Sequence, residues 1–289
     1  MRTLLFVCLL WAGAAMAACP QEEVAVVPAH DRPPYLETTG ALMAALAQQG
    51  IAAHIHPPEA LQNGVCPKLW AALGSRAVTA VRRYDAHTPL VAGLILDRRL
   101  LQTSQPATGV LLPHPPQRLW HWLRLLFPTA RHIVLLHADS DPARLAAIAR
   151  LVRQARLRLT LLALEVPQGN FARLQSLPAD ADVLWIDGQA FTPDIARAIL
   201  MAAYRRRIPA VGLSRQWVEA GAAFALDWDY RDLGAQIAAL IARWWRTPQS
   251  DPPVPQPPRR AILVLNREVL HHLGRRIPKN LPPETVLLP

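Results

Sequence analysis

Short runs of apolar residues alternate along this chain with stretches in which apolar residues recur at helical spacing. The apolar runs, bounded by Gly, Pro or polar residues, are typical of strands buried in a sheet. Between them, the spacing of Leu42, Ala45 and Leu46 ahead of a Gly50 stop is typical of a helix. Regular alternation of strand and helix predicts parallel βαβ units and an α/β fold. The predicted strands are residues 24–27, 52–55, 70–73, 89–96, 109–112, 132–136, 158–164, 183–186, 208–213, 222–226 and 261–265.

The helices predicted between these strands begin at capping residues. Asp141 and Thr192 each stand directly before a Pro at the first helical position, and Asp229, with Asp232 three residues on, can cap the helix that starts near Tyr230. The predicted helices are residues 38–49, a segment after residue 74, 117–127, 142–155, 171–177, 193–206, 214–219, a segment from residue 230, and 266–274. The remaining segments are predicted to be a polar loop at 28–37, an extended Pro-rich connector at 247–258 and an irregular tail from 277.

Residues 207–236 form the unit around which the rest of the chain is arranged. The strand in this stretch ends in Gly212-Leu213-Ser214 and runs straight into a short helix, and a second strand and a capped helix follow. In an open α/β sheet, a strand end that meets a helix start is a common place for a ligand. This stretch therefore predicts a ligand-binding position.

The pattern changes near residues 108–116. A strand gives way to Pro113-His114-Pro115-Pro116 and then to an aromatic helix. We interpret this segment as a crossing between two lobes. The predicted organisation is a signal peptide at residues 1–17, a first lobe at residues 18–111 plus 228–250, and a second lobe at residues 112–227 plus 251–289.

The first residues predict export to the periplasm. One positive charge at Arg2 precedes an apolar stretch, and Ala15-Met16-Ala17 follows as a small-x-small cleavage site. The apolar stretch is too short for a membrane span. Residues 16–19 also loosely resemble a lipoprotein signal, in which Cys19 would carry a lipid anchor.

Two cysteines, Cys19 and Cys66, remain after removal of the predicted signal peptide. An even pair in an oxidising compartment favours a disulfide between them. The alternatives are two unpaired thiols, or a lipidated Cys19, which would exclude the disulfide. Neither cysteine has a partner at metal-ligand spacing.

The formal net charge of +10 raises the question of an acidic partner. We interpret the scattered arginines, Arg144 and Arg150 among them, as solvated helix faces, with attraction to an anionic membrane or an acidic ligand as the alternative. An exported protein rarely meets nucleic acid, so no nucleic-acid partner is predicted. The chain is expected to be a monomer.

The residues show no catalytic or metal-binding constellation. His54 and His56 share a strand face, but the sequence places no third ligand near them. Gly212-Leu213-Ser214 lacks the second half of a nucleophile elbow, because Gln216 stands where Gly is required. The sequence therefore predicts no cofactor, no metal and no enzymatic activity.

The order and spacing of several segments resemble the periplasmic substrate-binding proteins of ABC transporters, in the family that includes binders of tryptophan and other aromatic amino acids. The resemblance covers nearly all of the chain after the signal and is strongest over residues 183–238. The segments that carry it are Pro34-Tyr35, residues 72–77 (ALGSRA), residues 126–128 (LFP), residues 208–214 (IPAVGLS), residues 218–222 (VEAGA), residues 232–236 (DLGAQ) and residues 263–266 (LVLN).

The resemblance implies two Rossmann-like lobes joined by three crossings, a type I periplasmic-binding-protein-like fold with the ligand between the lobes. Helix N-termini at the carboxyl ends of the strands would face this cleft. Their unpaired N–H groups suit a carboxylate or another small anion. Closure about the hinge would bury the ligand and produce a shape that a partner can recognise.

Candidate ligand contacts follow from position at the ends of the predicted strands. Arg32 could pair with a carboxylate and Tyr35 could stack on an apolar ligand, or both could be ordinary surface and packing residues. Ser214 and Trp217 offer a hydroxyl and an aromatic plate on one short helix. Residues 187–192 depart from the Asp-rich, Pro-containing turn of the family, which leaves the ligand type open. The full candidate set is Arg32, Tyr35, Ser75, Arg76, Asp139, Ser140, Asp187, Gln189, Ser214, Trp217 and Asp227.

Three functions are compatible with these features. The first is a solute-binding protein that holds an amino-acid-like or carboxylate ligand and presents it to an inner-membrane permease. The second is a periplasmic binding protein that reports to a histidine kinase or an outer-membrane receptor. The third, an exported enzyme, lacks a nucleophile and base in the sequence.

Overall fold

The computed structural model describes residues 21–61, 64–164, 172–189, 191–247 and 251–289. The predicted signal peptide and Cys19 lie outside these residues, so export and the Cys19–Cys66 disulfide stay predictions. Within the described chain, the strands form two sheets, each covered by helices on both faces. The predicted α/β fold is confirmed.

The first sheet is parallel throughout, in the order β2-β1-β3-β4-β5. Its inner strands are nearly continuous runs of buried residues, because helices α1 and α8 cover one face and α2 the other, whereas the edge strand β2 contains no buried residue. The elements of this lobe are β1 (Gln21–Pro28), α1 (Pro33–Gln48), β2 (Ala53–Ile55), β3 (Cys66–Leu73), α2 (Ser75–Tyr84), β4 (Leu90–Ile95), β5 (Ala107–Leu111) and α8 (Tyr230–Trp245).

The second sheet has the order β12-β11-β10-β9-β8-β6-β7 and is parallel except where β10 meets β11. The elements of this lobe are α3 (Pro116–Leu126), β6 (His132–Ala138), α4 (Pro142–Gln154), β7 (Arg158–Ala163), α5 (Ala172–Gln175), β8 (Val183–Gly188), α6 (Pro193–Arg205), β9 (Ala210–Val211), α7 (Arg215–Glu219), β10 (Phe224–Asp227), β11 (Ile262–Asn266), α9 (Arg267–His272) and β12 (Val286–Leu288).

The chain crosses between the sheets after β5, after β10 and after α8. The three predicted crossings are therefore present, while the exact lobe boundaries stay a prediction. The Pro-rich segment of the third crossing lies along the edge of the first sheet: the Gln256 N–H donates to the Gly109 carbonyl, and the Leu111 N–H donates to the Gln256 carbonyl, each at 2.9 Å. The prediction of an extended connector there is confirmed.

The predicted caps are present, but two segments differ from expectation. Asp141, Thr192 and Asp229 each accept a hydrogen bond from a backbone N–H in the first turn of their helices. Helix α1 begins at Pro33, inside the predicted loop, because Pro fixes a helical φ and lacks only an N–H that would be unpaired there. The tail that was predicted to be irregular contains β12, which pairs with β11.

Gly234 on α8 allows close contact between α8 and α1, and this leads to a stability prediction. A Cβ added at Gly234 would lie 2.4 Å from the Thr38 carbonyl oxygen and 2.8 Å from the Leu42 nitrogen, both backbone atoms of α1. We expect Gly234→Ala to reduce the free energy of unfolding by about 1–3 kcal/mol, because the helices must separate. Chemical denaturation measures this change.

Gly40 on α1 provides the matched control. A Cβ at Gly40 would meet nothing within 4 Å. Gly40→Ala is therefore expected to stabilise the protein by up to about 1 kcal/mol through helix propensity alone. Equal effects of the two substitutions would contradict the role assigned to Gly234.

Candidate functional site

A cavity of about 710 Å³ lies between the two lobes. The first lobe contributes the loop after β4, and the second lobe contributes the loops after β6, β8 and β9. The crossings complete its wall with Pro113, His114, Trp228 and the segment around Gln256. The carboxyl ends of parallel strands from both sheets therefore face one cleft, as in other open α/β folds that bind ligands.

Six of the predicted site residues line this cavity. They all lie at or after the carboxyl ends of strands in the second lobe, and Asp187 is still within β8. These residues are Asp139, Ser140, Asp187, Gln189, Ser214 and Trp217. The structure thus brings together residues from the ends of three separate strands, and their contact with a ligand stays a prediction.

The other five candidates lie outside the described lining of the cavity. Arg32 is exposed at the start of α1, and Tyr35 packs against the core of the first lobe, where burial raises the pKa of its hydroxyl. Ser75 and Arg76 line a separate surface groove beside Glu59. Asp227 ends β10 next to the cleft, and burial raises the pKa of its carboxyl group. A ligand role for these five stays a prediction.

Arg144 is held at the cleft by a buried ion pair. Its Nε donates to Asp187 Oδ1 at 2.6 Å, and its Nη1 donates to the His114 carbonyl at 2.6 Å. The side chains of Arg144 and Asp187 are only 16% and 4% exposed. The interpretation of Arg144 as a solvated surface residue is therefore wrong, because α4 points it into the cleft instead of into solvent.

His114 connects the first crossing to the second. Its Nε2 lies 3.2 Å from the Asp227 carbonyl oxygen, and its ring stacks on Trp228 with centroids 5.8 Å apart. The Trp228 indole N–H donates to the Leu112 carbonyl at 2.8 Å. Burial, reinforced by the Arg118 charge, lowers the pKa of His114 from 6.5 to about 4. The imidazole is therefore neutral at neutral pH.

An ion pair joins the two lobes across the cleft. Arg99, after β4, donates from Nη2 to the two carboxylate oxygens of Asp139, after β6, at 3.1 and 3.2 Å. The Arg99 Nε also donates to Asp97 at 3.0 Å. Asp139 has a positive φ of 47°, a conformation that Asn and Asp adopt more readily than most other non-Gly residues. Its carboxylate is thus already engaged by an arginine.

Trp217 forms an aromatic wall of the cleft with Phe191. The two rings meet edge to face, with centroids 5.6 Å apart. Gly212 permits this arrangement, because a Cβ there would lie 2.6 Å from the Trp217 Cβ. Ser214 is the N-cap of α7, but its side chain makes no capping hydrogen bond. Ser214 and Trp217 both line the cleft, and their contact with a ligand stays a prediction.

Sequence reasoning missed Arg144, His114 and Trp228 as parts of the site. His114 lies in the Pro-rich segment that we interpret as a crossing, and several residues of this segment border the cleft. That signal could have identified it. Arg144 carried no such signal, because its partner Asp187 lies 43 residues away in sequence.

Within the residues that the structure describes, no cluster of three or more His, Cys, Asp or Glu is arranged to hold a metal ion. His56 Nε2 lies 2.8 Å from a Glu22 carboxylate oxygen, and His54 lies 3.9 Å from the same atom. No helix in this part of the chain is long and apolar enough to cross a membrane.

Comparison with known proteins identifies both a sequence family and a fold. A family model described as ABC transporter substrate binding protein matches residues 86–284. No curated protein sequence matches the chain.

Solved structures with similar folds include one described as an ABC domain and one described as a substrate-binding protein. A domain in complex with L-Trp from Streptococcus pneumonia has a TM-score of 0.64 at 16% identity, with 92% of this chain and 99% of that chain covered. A ligand-free, open substrate-binding protein from Clostridium difficile has a TM-score of 0.72 at 14% identity, with the same coverage.

A LacI family transcriptional regulator from Bifidobacterium animalis subsp. lactis is also similar in fold. It has a TM-score of 0.52 at 14% identity, with 83% of this chain and 95% of that chain covered. At these identities the likeness concerns the fold alone. It confirms the predicted type I periplasmic-binding-protein-like architecture.

Proposed function

The chain belongs to the ABC transporter substrate-binding protein family, and from that membership we propose that it is exported and holds a small organic ligand between its lobes for an ABC importer. The observation that carries this proposal is the cavity of about 710 Å³, which both lobes and the crossings line. Ligand pockets of this kind combine apolar walls with a few placed polar groups. Trp217 and Phe191 supply such a wall here, and Ser140 and Ser214 supply hydroxyls.

The ligand class that we propose is amino-acid-like or a carboxylate. One relative in fold is described in complex with L-Trp, which is a property of that protein and supports the amino-acid-like class for this one. The first turn of α4 lines the cavity, and the N–H groups of a helix N-terminus favour an anionic group.

Closure of the lobes is the step that would couple binding to delivery. Three crossings permit hinge motion, and the Arg99–Asp139 ion pair already joins the lobes at 3.1 Å. This pair is more than half exposed, so it is expected to bias closure only weakly. The ligand must therefore supply most of the differential binding energy that holds the lobes together.

A thermal-shift screen of the purified protein, from residue 18 onwards, tests this function. Amino acids and small carboxylates form the panel. A ligand at about 100 times its Kd is expected to stabilise the protein by about 2.7 kcal/mol through mass action. A flat response across the whole panel would count against the proposed function.

Two tryptophan variants show whether a stabilising compound occupies the cleft. Trp217→Ala removes an aromatic wall of the cavity and is expected to weaken binding about tenfold or more. Trp245→Ala, at the end of α8 and outside the cavity lining, is the matched control and is expected to leave binding unchanged. Equal losses in both variants would place the ligand elsewhere.

A sensor or receptor in place of a permease is the second candidate recipient. The formal net charge of +10 and the altered turn after β8 are the features that favour it. Both candidates predict the same ligand site. Co-purification from the host separates them, since a permease and ATPase support import and a histidine kinase supports sensing.

A further inference from the structure

Many arginines of the second lobe lie at the amino-terminal edge of its sheet, the edge opposite the cleft. The segments at this edge, which precede β6, β7, β8 and β9 or follow β11, are residues 128–131, 153–158, 178–182, 205–209 and 266–276. Together they hold ten arginines but only three acidic side chains. The rest of the sequence carries nearly equal numbers of basic and acidic residues. The excess positive charge of the chain therefore lies mainly in these five segments, which we call the basic pole.

Contacts between the segments join the basic pole into one continuous surface. The Arg158 N–H donates to the Arg131 carbonyl, and the Arg131 N–H donates to the Asp182 carboxylate, at 2.9 and 2.7 Å. The Tyr204 ring stacks on His272 with centroids 5.6 Å apart, which brings the end of α6 to the end of α9. The strands from β7 to β11 lie side by side, so the pole is about 25 Å wide.

Most arginines of the basic pole are exposed and lack a counter-charge. Only Arg275 is half-buried, and the other nine are exposed. Within the described residues, Arg158 is the one member of the set in an ion pair, with Asp180. Arg206 donates instead to backbone carbonyls at and after the end of α5. The pole therefore presents positive charge that acidic side chains of the described chain do not neutralise.

Two arginines of the basic pole stand where the backbone favours glycine. Arg156 and Arg207 each follow the end of a helix with a positive φ, of 57° and 55°. Gly is the usual residue at this position, because a Cβ is unfavourable there. Arg153 and Arg205 lie in the last turns of α4 and α6, where a cation stabilises the helix dipole. Arg156 and Arg207 lie beyond those turns, so helix stability does not account for them.

Exposed apolar side chains flank the basic pole. Tyr204 is 62% exposed directly before the arginines at 205–207, and Leu125 is 45% exposed in the last turn of α3. Next to Leu125, Arg124 donates to the Ala130 carbonyl at 3.1 Å, which places this turn beside residues 128–131. Tyrosine and leucine side chains among arginines suit the boundary between the headgroups and the acyl chains of a bilayer. A broad surface of this composition fits an extended anionic surface better than a small anion.

We propose that the basic pole binds the surface of a membrane that contains anionic phospholipids. The positive charge of the pole complements such a surface, and each arginine close to it is expected to raise the affinity about fivefold. The pole and the cleft lie at opposite edges of the second sheet, so a protein bound in this way keeps its cleft away from the lipid. The inference goes beyond the proposed function and does not depend on the ligand.

Cosedimentation of the purified protein, from residue 18 onwards, with lipid vesicles tests this proposal. Vesicles of equal parts phosphatidylglycerol and phosphatidylcholine are compared with vesicles of phosphatidylcholine alone. At low salt the protein is expected to bind the anionic vesicles about tenfold or more tightly than the neutral ones. It is expected to be released from them at about 0.5 M NaCl, because salt screens the attraction between exposed charges.

Two double variants with the same loss of charge assign the binding to the basic pole. Arg156→Gly/Arg207→Gly relieves two positive φ angles, so the melting temperature is expected to stay the same or rise while the affinity for anionic vesicles falls about tenfold or more. Arg83→Gln/Arg243→Gln is the control. It removes two exposed charges from α2 and α8 of the first lobe and is expected to leave the affinity nearly unchanged.

The outcomes separate membrane binding from the proposed function. No binding to anionic vesicles at low salt, or equal binding to both kinds of vesicle, overturns the proposal. So do equal losses in the two double variants, and binding to double-stranded DNA in place of the vesicles. A protein that binds the anionic vesicles but no compound in the thermal-shift screen retains the membrane surface while the proposed function fails. The wild-type comparison of vesicles decides the matter even if a variant does not fold.

Discussion

Replacing Asp187 with Leu is expected to lower the free energy of unfolding by about 3–5 kcal/mol, the cost of removing one partner from a buried ion pair. Asp187 is 4% exposed and accepts from Arg144 Nε at 2.6 Å. Without the carboxylate, the Arg144 guanidinium keeps only the His114 carbonyl as a partner among the described residues. A buried charge without a counter-charge is the origin of the expected loss. Urea denaturation followed by circular dichroism measures it.

The double variant Asp187→Leu/Arg144→Met tests whether the charge causes the loss. Replacing both partners with apolar groups is expected to recover most of the stability, because no unpaired charge remains. Glu219→Leu is the control: its ion pair with Arg215 has a similar length of 2.8 Å but is about half exposed, so a change below about 1 kcal/mol is expected. If the Asp187→Leu protein is as stable as the Glu219→Leu protein, the buried charge of Arg144 is not the cause of a large stability loss.

Local sequence signals predicted the elements of this fold well because their causes are local. The start of α4 follows from Asp141 and Pro142 alone, and the start of α8 from Asp229. The order of strands in each sheet is set by contacts between distant segments, and the sequence analysis did not predict it; the resemblance to a known family implied only two lobes joined by three crossings. Strand β12 illustrates the limit: residues 286–288 carry little pattern of their own, and pairing with β11 makes them a strand.

The candidate site was predictable in position but not in chemistry. Residues after β6, β8 and β9 line the cleft because parallel strands end at one edge of a sheet, and this holds whatever the residues are. Whether a side chain is available to a ligand depends on partners from other loops. Asp139 and Asp187 looked equivalent to Ser140 in the sequence. The structure shows both carboxylates bound by arginines, while the Ser140 hydroxyl has no described partner.

These pairings make the inner wall of the cleft a connected network. Arg144 donates hydrogen bonds to the Asp187 carboxylate and to the His114 carbonyl. The His114 ring in turn contacts the second crossing, through a hydrogen bond to the Asp227 carbonyl and stacking on Trp228. Two of the three crossings are thereby fixed to the second lobe. Motion of the first lobe during closure is then expected to occur beyond this network, which keeps the inner wall of the cleft rigid while the rim moves.

The same burial that fixes His114 is expected to make stability depend on pH. The pKa of His114 is about 4 in the folded protein and 6.5 ordinarily, because burial disfavours the imidazolium. Between these two values the unfolded chain binds a proton at this residue and the folded protein does not. Falling pH therefore favours unfolding in this window, by about 1.4 kcal/mol for each pH unit, or roughly 3 kcal/mol in total.

Comparison with His114→Gln isolates this effect, because Gln does not titrate. His137 and Asp227 also have shifted pKa values, lowered and raised respectively, but both remain in the variant and cancel in the difference. The free energy of unfolding of the wild-type protein relative to the variant should be constant above about pH 7 and fall by roughly 3 kcal/mol as the pH decreases to 4. Parallel pH profiles for the two proteins would mean that His114 is protonated as readily in the fold as in the unfolded chain. In that case the folded protein would take up the His114 proton near pH 6.5 instead of near pH 4, and burial would not disfavour the imidazolium.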